Sequence, residues 1–304
     1  MTGDGAASSG GAGHVDPRPV FQAMFDAVRA YLLGEGRNQT AHGTVSTNPK
    51  GELTRRFDAE AERIAIEVAR EGIGAFAIHS EEAGYVRIGG DPLWTLVLDP
   101  CDGSNNFRRG VRSVGFAVAA LPPGAPLDPD FVEYALCGDI FTGTVYSAAA
   151  GQGATVDGQP CQASRIGEPR HAMIGINLGQ DGPTGQRAAE ERHFLSARLW
   201  TLLQQASTVR RTGATVLDLC YVAEGAYDAY VDVRRRLTPE NFMAPALVIR
   251  EAGGILTGEH GGPLGAVEFT HPYSIIASGS MRLQRALLDA LWEEPDGSAG
   301  KVTP

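Results

Sequence analysis

Apolar residues fall at helical spacing early in the chain. Phe21, Met24, Phe25, Val28, Tyr31 and Leu32 share one face, and Gly34 follows as a stop. A second helix is expected from about Asp58, with Ala61, Ile64, Ala65 and Val68 on one face and Asp58 at the N-cap. Between them, residues 43–51 are rich in Gly, Thr, Asn and Pro and read as a loop. The pattern then changes to short apolar runs. Residues 75–78 break off into His79-Ser80-Glu81-Glu82, and residues 94–98 into Asp99-Pro100-Cys101-Asp102-Gly103-Ser104. Both predict buried strands with acids at their C-terminal ends. Further strands are expected at residues 115–121 and 144–148, then a hairpin over 151–158 with Asp157-Gly158 at its turn.

The second half alternates. A strand at 173–176 precedes a helix at about 190–205. A helix with Val216, Leu217, Leu219 and Cys220 follows Gly213, then a strand at 227–233. A helix over about 239–252 ends at Gly253-Gly254, and a last helix carries Leu283, Leu287, Leu288 and Leu291. Mixed strands and helices throughout predict a layered α/β or α+β fold of two subdomains sharing a cleft. Their expected bounds are 17–165 and 166–293, with flexible tails at 1–16 and 294–304.

Composition narrows the function. The 304 residues are 43% hydrophobic, enough for a substantial core. The net charge of −10 argues against a nucleic-acid binder or a membrane-surface protein, both of which need a basic face. Four widely spaced cysteines, Cys101, Cys137, Cys161 and Cys220, suggest neither a disulfide framework nor a zinc site, and a cytoplasmic protein is expected.

The informative feature is acidic and local. If the strands ending at Ser80 and Leu98 are neighbours, Glu81, Glu82, Asp99 and Asp102 converge at one sheet edge. Like charges that close need a counter-charge, and oxygen donors suit a hard cation such as Mg²⁺. Gly103-Ser104-Asn105 leads into a helical turn whose N–H groups suit a phosphate. Carboxylates that hold Mg²⁺ beside an anion cradle point to water attacking a phosphate ester.

These residues carry a family resemblance. Asp99-Pro-Cys-Asp-Gly-Ser-Asn-Asn-Phe107 resembles the DP(I/L)DGTxNF signature of the inositol monophosphatase family. Ser80-Glu81-Glu82 is similar to its GEE, and Leu53-Thr54-Arg55-Arg56-Phe57-Asp58 to its TxxxD segment. The hairpin at 151–160, the segment from Gly213 to Ala223 and the segment from Ala246 to Gly254 resemble further blocks of the family in the same order. The resemblance implies the family's αβαβα sandwich, a homodimer, two or three Mg²⁺ ions and a small phosphorylated metabolite as substrate. By position it implies that Glu81, Asp99 and the Cys101 carbonyl hold one ion. Asp99 and Asp102 reach a second. Asp58 and Ser104, with Glu81, activate the attacking water, and the Gly103 and Ser104 N–H groups hold the phosphate. Arg234, Gly213 and Ala214 fall where the family places substrate contacts, and His79 is expected to pack beside the site.

One departure touches the chemistry. The family closes the site with PWDxAAG, whose aspartate completes the second metal, and here the segment is Thr238-Pro239-Glu240-Asn241-Phe242-Met243-Ala244. Asn241 takes the aspartate position, a neutral ligand in place of a charged one. Two readings stand. Glu240 swings in and rebuilds the site, or the chain is an impaired or repurposed member that binds a phosphorylated metabolite.

Overall fold

The structure is a computed structural model and describes residues 16–51, 53–177 and 200–292. Two helices open the fold, α1 (Arg18–Leu33) and α2 (Arg56–Gly72), with a short hairpin of β1 (Thr44–Thr47) and β2 (Leu53–Arg55) between them. The loop expected at residues 43–51 thus contains a strand. The helix α2 starts two residues before Asp58, so Asp58 lies in its first turn and Arg55 is the N-cap residue.

An eight-stranded sheet follows. It contains β3 (Phe76–Ser80), β4 (Gly84–Ile88), β5 (Trp94–Asp102), β6 (Gly115–Leu121), β7 (Tyr134–Asp139), β8 (Val145–Ala149), β9 (Ala154–Val156) and β10 (Gln159–Pro160), in the order β10-β9-β8-β7-β6-β5-β3-β4. A six-residue helix, α3 (Ser104–Arg109), follows β5. The second sheet has five strands: β11 (Met173–Ile176), β12 (Thr208–Arg210), β13 (Ala229–Leu237), β14 (Ile255–Gly258) and β15 (Tyr273–Ser278), ordered β12-β11-β13-β15-β14. The remaining helices are α4 (Thr215–Ala223), α5 (Pro239–Glu251) and α6 (Met281–Trp292). Of the helix expected at 190–205, residues 190–199 lie outside the described residues, and 200–205 are helical.

The layers follow from the two-residue period of the strands. On β6, Phe116, Val118 and Ala120 pack with Phe21, Phe25 and Phe57 of α1 and α2 in one cluster. Ala117, Ala119 and Leu121 point the other way, into a cluster with Val216 and Leu219 of α4 and Phe242 and Leu247 of α5. That cluster also takes Tyr230, Ile275 and Ala277 from the second sheet. Ala229, Val231 and Ile276 face outward onto Leu283, Leu287 and Leu291 of α6. The result is helices, sheet, helices, sheet, helix, the αβαβα sandwich expected of the family.

Packing between the first two layers leaves no room at Gly138 on β7, where a Cβ would stand 2.3 Å from the Phe25 ring. Gly138→Ala is expected to lower the unfolding free energy by about 1–3 kcal/mol through overpacking, read by chemical denaturation. An unchanged midpoint would show that α1 is free to shift.

Candidate active site

The site gathers at the C-terminal ends of β3 and β5 and the first turns of α2, α3, α4 and α5. The parallel pair β3 and β5 is in register from Phe76 with Trp94 to Ser80 with Leu98, so Glu81 and Glu82 leave the sheet beside Asp99. Asp99 and Asp102 are three apart, which in a regular strand puts them on opposite faces. Here Asp99 pairs with Ala117 and Asp102 with Gly115, two residues apart on β6. One extra residue is therefore bulged into β5, and both carboxylates return to the same side. Gly103 then turns the chain at φ +97°, and a Cβ there would meet the Ser113 carbonyl at 3.1 Å. The left-handed backbone and the close approach together call for glycine.

These ends wall a cleft of about 830 Å³, lined by Asp58, Glu81, Asp99, Asp102 and Ser104 among others. Ser104 Oγ lies 2.7 Å from Asp58 Oδ1 and 3.1 Å from the Cys101 carbonyl. The hydroxyl has one proton, and the shorter contact to a carboxylate is the stronger claim on it. The Cys101 N–H donates to Asp99 Oδ1 at 3.0 Å. The Val216 N–H, in the first turn of α4, donates to Asp102 Oδ2 at 2.7 Å. Thr54 donates to Glu82, and the Glu82 N–H donates to Glu62 Oε2 at 2.9 Å.

Burial dominates the electrostatics. It pushes the carboxyls of Glu81 and Asp99 well above the ordinary range. Lys50 opposes the shift at Glu81, whereas Glu81, Asp102 and Glu240 reinforce it at Asp99. Asp102 is raised to about 7 by burial, against the pull of the Val216 N–H. Asp58 also rises to about 7 by burial, although the Ser104 hydrogen bond holds it down. Burial raises the Cys101 thiol too, so it stays protonated, and only its backbone carbonyl is available as a ligand.

Glu81, Asp99, Asp102 and the Cys101 carbonyl offer hard, oxygen-only donors, with Asp99 buried and Glu81 and Asp102 half-buried, and such a set fits a divalent ion such as Mg²⁺. Among the described residues, no three His, Cys, Asp or Glu side chains already stand as a closed metal cage. Oxygens of Asp99 and Asp102 are engaged by N–H donors instead.

The α5 edge differs from the expectation. The Asn241 amide donates from Nδ2 to Asp99 Oδ2 at 3.1 Å, and its Oδ1 accepts the Thr238 N–H at 3.1 Å. Asn241 caps its own helix with Thr238 and presents a donor to the cluster, so its oxygen is not offered to a metal. Glu240 is buried and does turn toward the cluster, but its Oε1 is held by Lys50 and Thr238.

Arg234 lines the cleft, its guanidinium forked onto Asp232 with Nη2 to Oδ2 at 2.6 Å and Nε to Oδ1 at 3.0 Å. Gly213 also lines the cleft, as does Asn177, whose neighbours 178 and 179 lie outside the described residues. Ala214 does not reach it: it is fully buried as the N-cap residue of α4. His79 packs against Tyr85 and Phe269, and burial lowers its pKa.

Sequence reasoning missed Lys50, Thr238 and the Val216 N–H. The Thr238-x-x-Asn241 spacing at a helix start was the available signal for the cap. A lysine in an Asn-Pro-Lys-Gly turn gave none.

The model of the inositol monophosphatase family matches residues 17–296. The chain belongs to that family. A fructose-1,6-bisphosphatase/inositol-1-monophosphatase of Thermococcus kodakarensis is 30% identical over 253 residues, covering 83% of this chain and 88% of that one. The Nus factor SuhB of Pseudomonas aeruginosa is 30% identical over 255 residues, covering 81% and 86%. A crystal structure described as an inositol monophosphatase–fructose 1,6-bisphosphatase superposes with a TM-score of 0.75 at 25% identity, over 91% of this chain and 100% of that one. The native SuhB of Bartonella henselae shares the fold, with a TM-score of 0.76 at 22% identity over 91% and 98%. Membership in this metal-dependent family makes phosphatase chemistry on phosphorylated metabolites the frame for the site. Among the described residues, no helix is long and apolar enough to cross a membrane.

Proposed function

We propose that this chain is a Mg²⁺-dependent phosphomonoesterase for a small polyol or sugar phosphate, with inositol phosphates and sugar bisphosphates as the leading candidates. The observation that carries the reading is the Ser104–Asp58 hydrogen bond at 2.7 Å, beside the Cys101 carbonyl and the Glu81–Asp99–Asp102 cluster. When bound, the divalent ion neutralises phosphate charge and acidifies water. The protein supplies the rest. Ser104, donating to Asp58, keeps lone pairs free to accept from a water, and Asp58 receives the proton through it. A carboxyl raised to about 7 suits a base working near neutral pH. Gly103 lets phosphate approach the Gly103 and Ser104 N–H groups. Arg234, pre-oriented by Asp232, faces a second anionic or hydroxylated part of the substrate.

The names of the relatives motivate the choice of substrates. A second reading, a member that binds such a metabolite and hydrolyses it poorly, is favoured by the turned Asn241 amide. Inorganic phosphate release from a panel of inositol and sugar phosphates, with the metal first removed by chelation and Mg²⁺ then titrated, separates the two. The phosphatase reading expects release that appears with Mg²⁺ and is selective within the panel. Binding without release at saturating Mg²⁺ supports the second reading.

A further inference from the structure

Lys50 reaches into the acid cluster from the turn before β2. Its side chain is 11% exposed and that of its partner Glu240 is 1% exposed. The ammonium bonds to Glu240 Oε1, donates to Thr238 Oγ1 at 2.8 Å, and sits 5.5 Å from the centre of the Phe269 ring. Burial disfavours its charge, but Glu240, Glu81 and Asp99 more than offset this, so the lysine stays ionised. Beside it, Asn241 points an amide N–H at Asp99. The α5 edge of the cleft therefore offers donors and a positive charge, where the other edge offers carboxylates with neutral N–H partners alone.

We infer that Lys50 is a built-in cation that fills the α5 edge of the cluster, so that a divalent ion is taken only by the Glu81–Asp99–Asp102 edge. The inference rests on the metal-dependent reading of the same site. Three features converge on it. The ammonium already pairs with Glu240, the carboxylate that α5 would contribute to a metal. The Asn241 oxygen is engaged by the Thr238 N–H. Among the described residues, the buried Glu240 Oε2 has no hydrogen-bond partner, yet one lone oxygen beside an ammonium is a poor seat for a divalent ion, because the two cations repel. Removing the lysine would reverse that balance. Glu240 would be left buried and uncompensated, and a divalent ion would be its available counter-charge.

The test counts Mn²⁺ bound to the metal-stripped full chain, by calorimetry and by electron paramagnetic resonance of free Mn²⁺. Lys50→Met is expected to bind one ion more than the native chain. Lys50→Arg is expected to keep the native count, and adding Glu240→Gln to Lys50→Met should abolish the gain. A Lys50→Met protein with the native count, or a gain that survives Glu240→Gln, overturns the inference. Should Lys50→Met fail to fold, Glu240→Gln alone decides. A committed Glu240 predicts an unchanged number of bound Mn²⁺ ions. A Glu240 that ligates metal in the native chain predicts the loss of one. If the native chain binds no Mn²⁺, the metal reading itself fails, which is a different result from a native chain that binds while Lys50→Met gains nothing.

Discussion

Asp102→Asn lowers Mg²⁺-dependent phosphate release by about 10³-fold and, in the metal-free protein, raises the melting temperature near pH 8. Both effects have one cause. Asp102 is half-buried beside Asp99 and Glu240, which makes its charge costly, and a bound cation would relieve that cost. The asparagine keeps the shape and the one hydrogen bond seen, since its side-chain oxygen can still accept the Val216 N–H now held at 2.7 Å. It removes one charge from the proposed cation site, and losing one such electrostatic contributor costs about 10²–10³-fold in turnover. Without metal, the same change removes a half-buried like charge and is expected to stabilise the fold, the trade of a residue kept for function. Thermal melts and phosphate release on the same preparation measure both. Reduced activity with reduced metal-free stability would show that Asp102 is structural.

The metal-free protein loses stability as pH rises from about 4 to 8, by several kcal/mol in order of magnitude. Asp58, Glu62 and Asp102 are raised to about 7 and Asp218 to about 8, in each case chiefly by burial. Their folded values lie above the unfolded ones, so the folded chain binds more protons. The favourable contribution is complete below the unfolded values near 4 and is lost as pH rises through the folded ones. Mg²⁺ should restore stability strongly at pH 8 and weakly at pH 5, because only the ionised cluster binds it. Melting curves at several pH values, with and without Mg²⁺, check this. A metal-free melting temperature that is flat or rises between pH 5 and 8 would mean that these carboxyls ionise freely in the folded chain.

Much of the site is legible in the sequence because it interrupts buried strands. A run such as Trp94-Thr95-Leu96-Val97-Leu98 has no reason to end in Asp-Pro-Cys-Asp unless the acids are wanted at the sheet edge, and Glu81 directly after β3 repeats the signal. What escapes is set by tertiary context. Lys50 is an ordinary turn lysine until the fold places it on Glu240, 190 residues away. Asn241 can be aligned with an aspartate by counting, but its orientation follows from the Thr238 cap. Ala214 shares a turn with Gly213, and only the start of α4 shows that one lines the cleft and the other is buried. The strands β7 and β15 are short and rich in small residues, and their period of two is masked by burial on both faces.

In the proposed reaction, Asp58 and Ser104 direct a water at a phosphate ester held in this cleft. Hydrolysis in ¹⁸O-labelled water, under single-turnover conditions with Mg²⁺ and the best ester of the panel, tests it directly. One ¹⁸O is expected in the released phosphate and none in the alcohol, with turnover lowered by about 10²–10⁴-fold in Asp58→Asn. Label in the alcohol, undiminished turnover in Asp58→Asn, or no release from the native chain would contradict it.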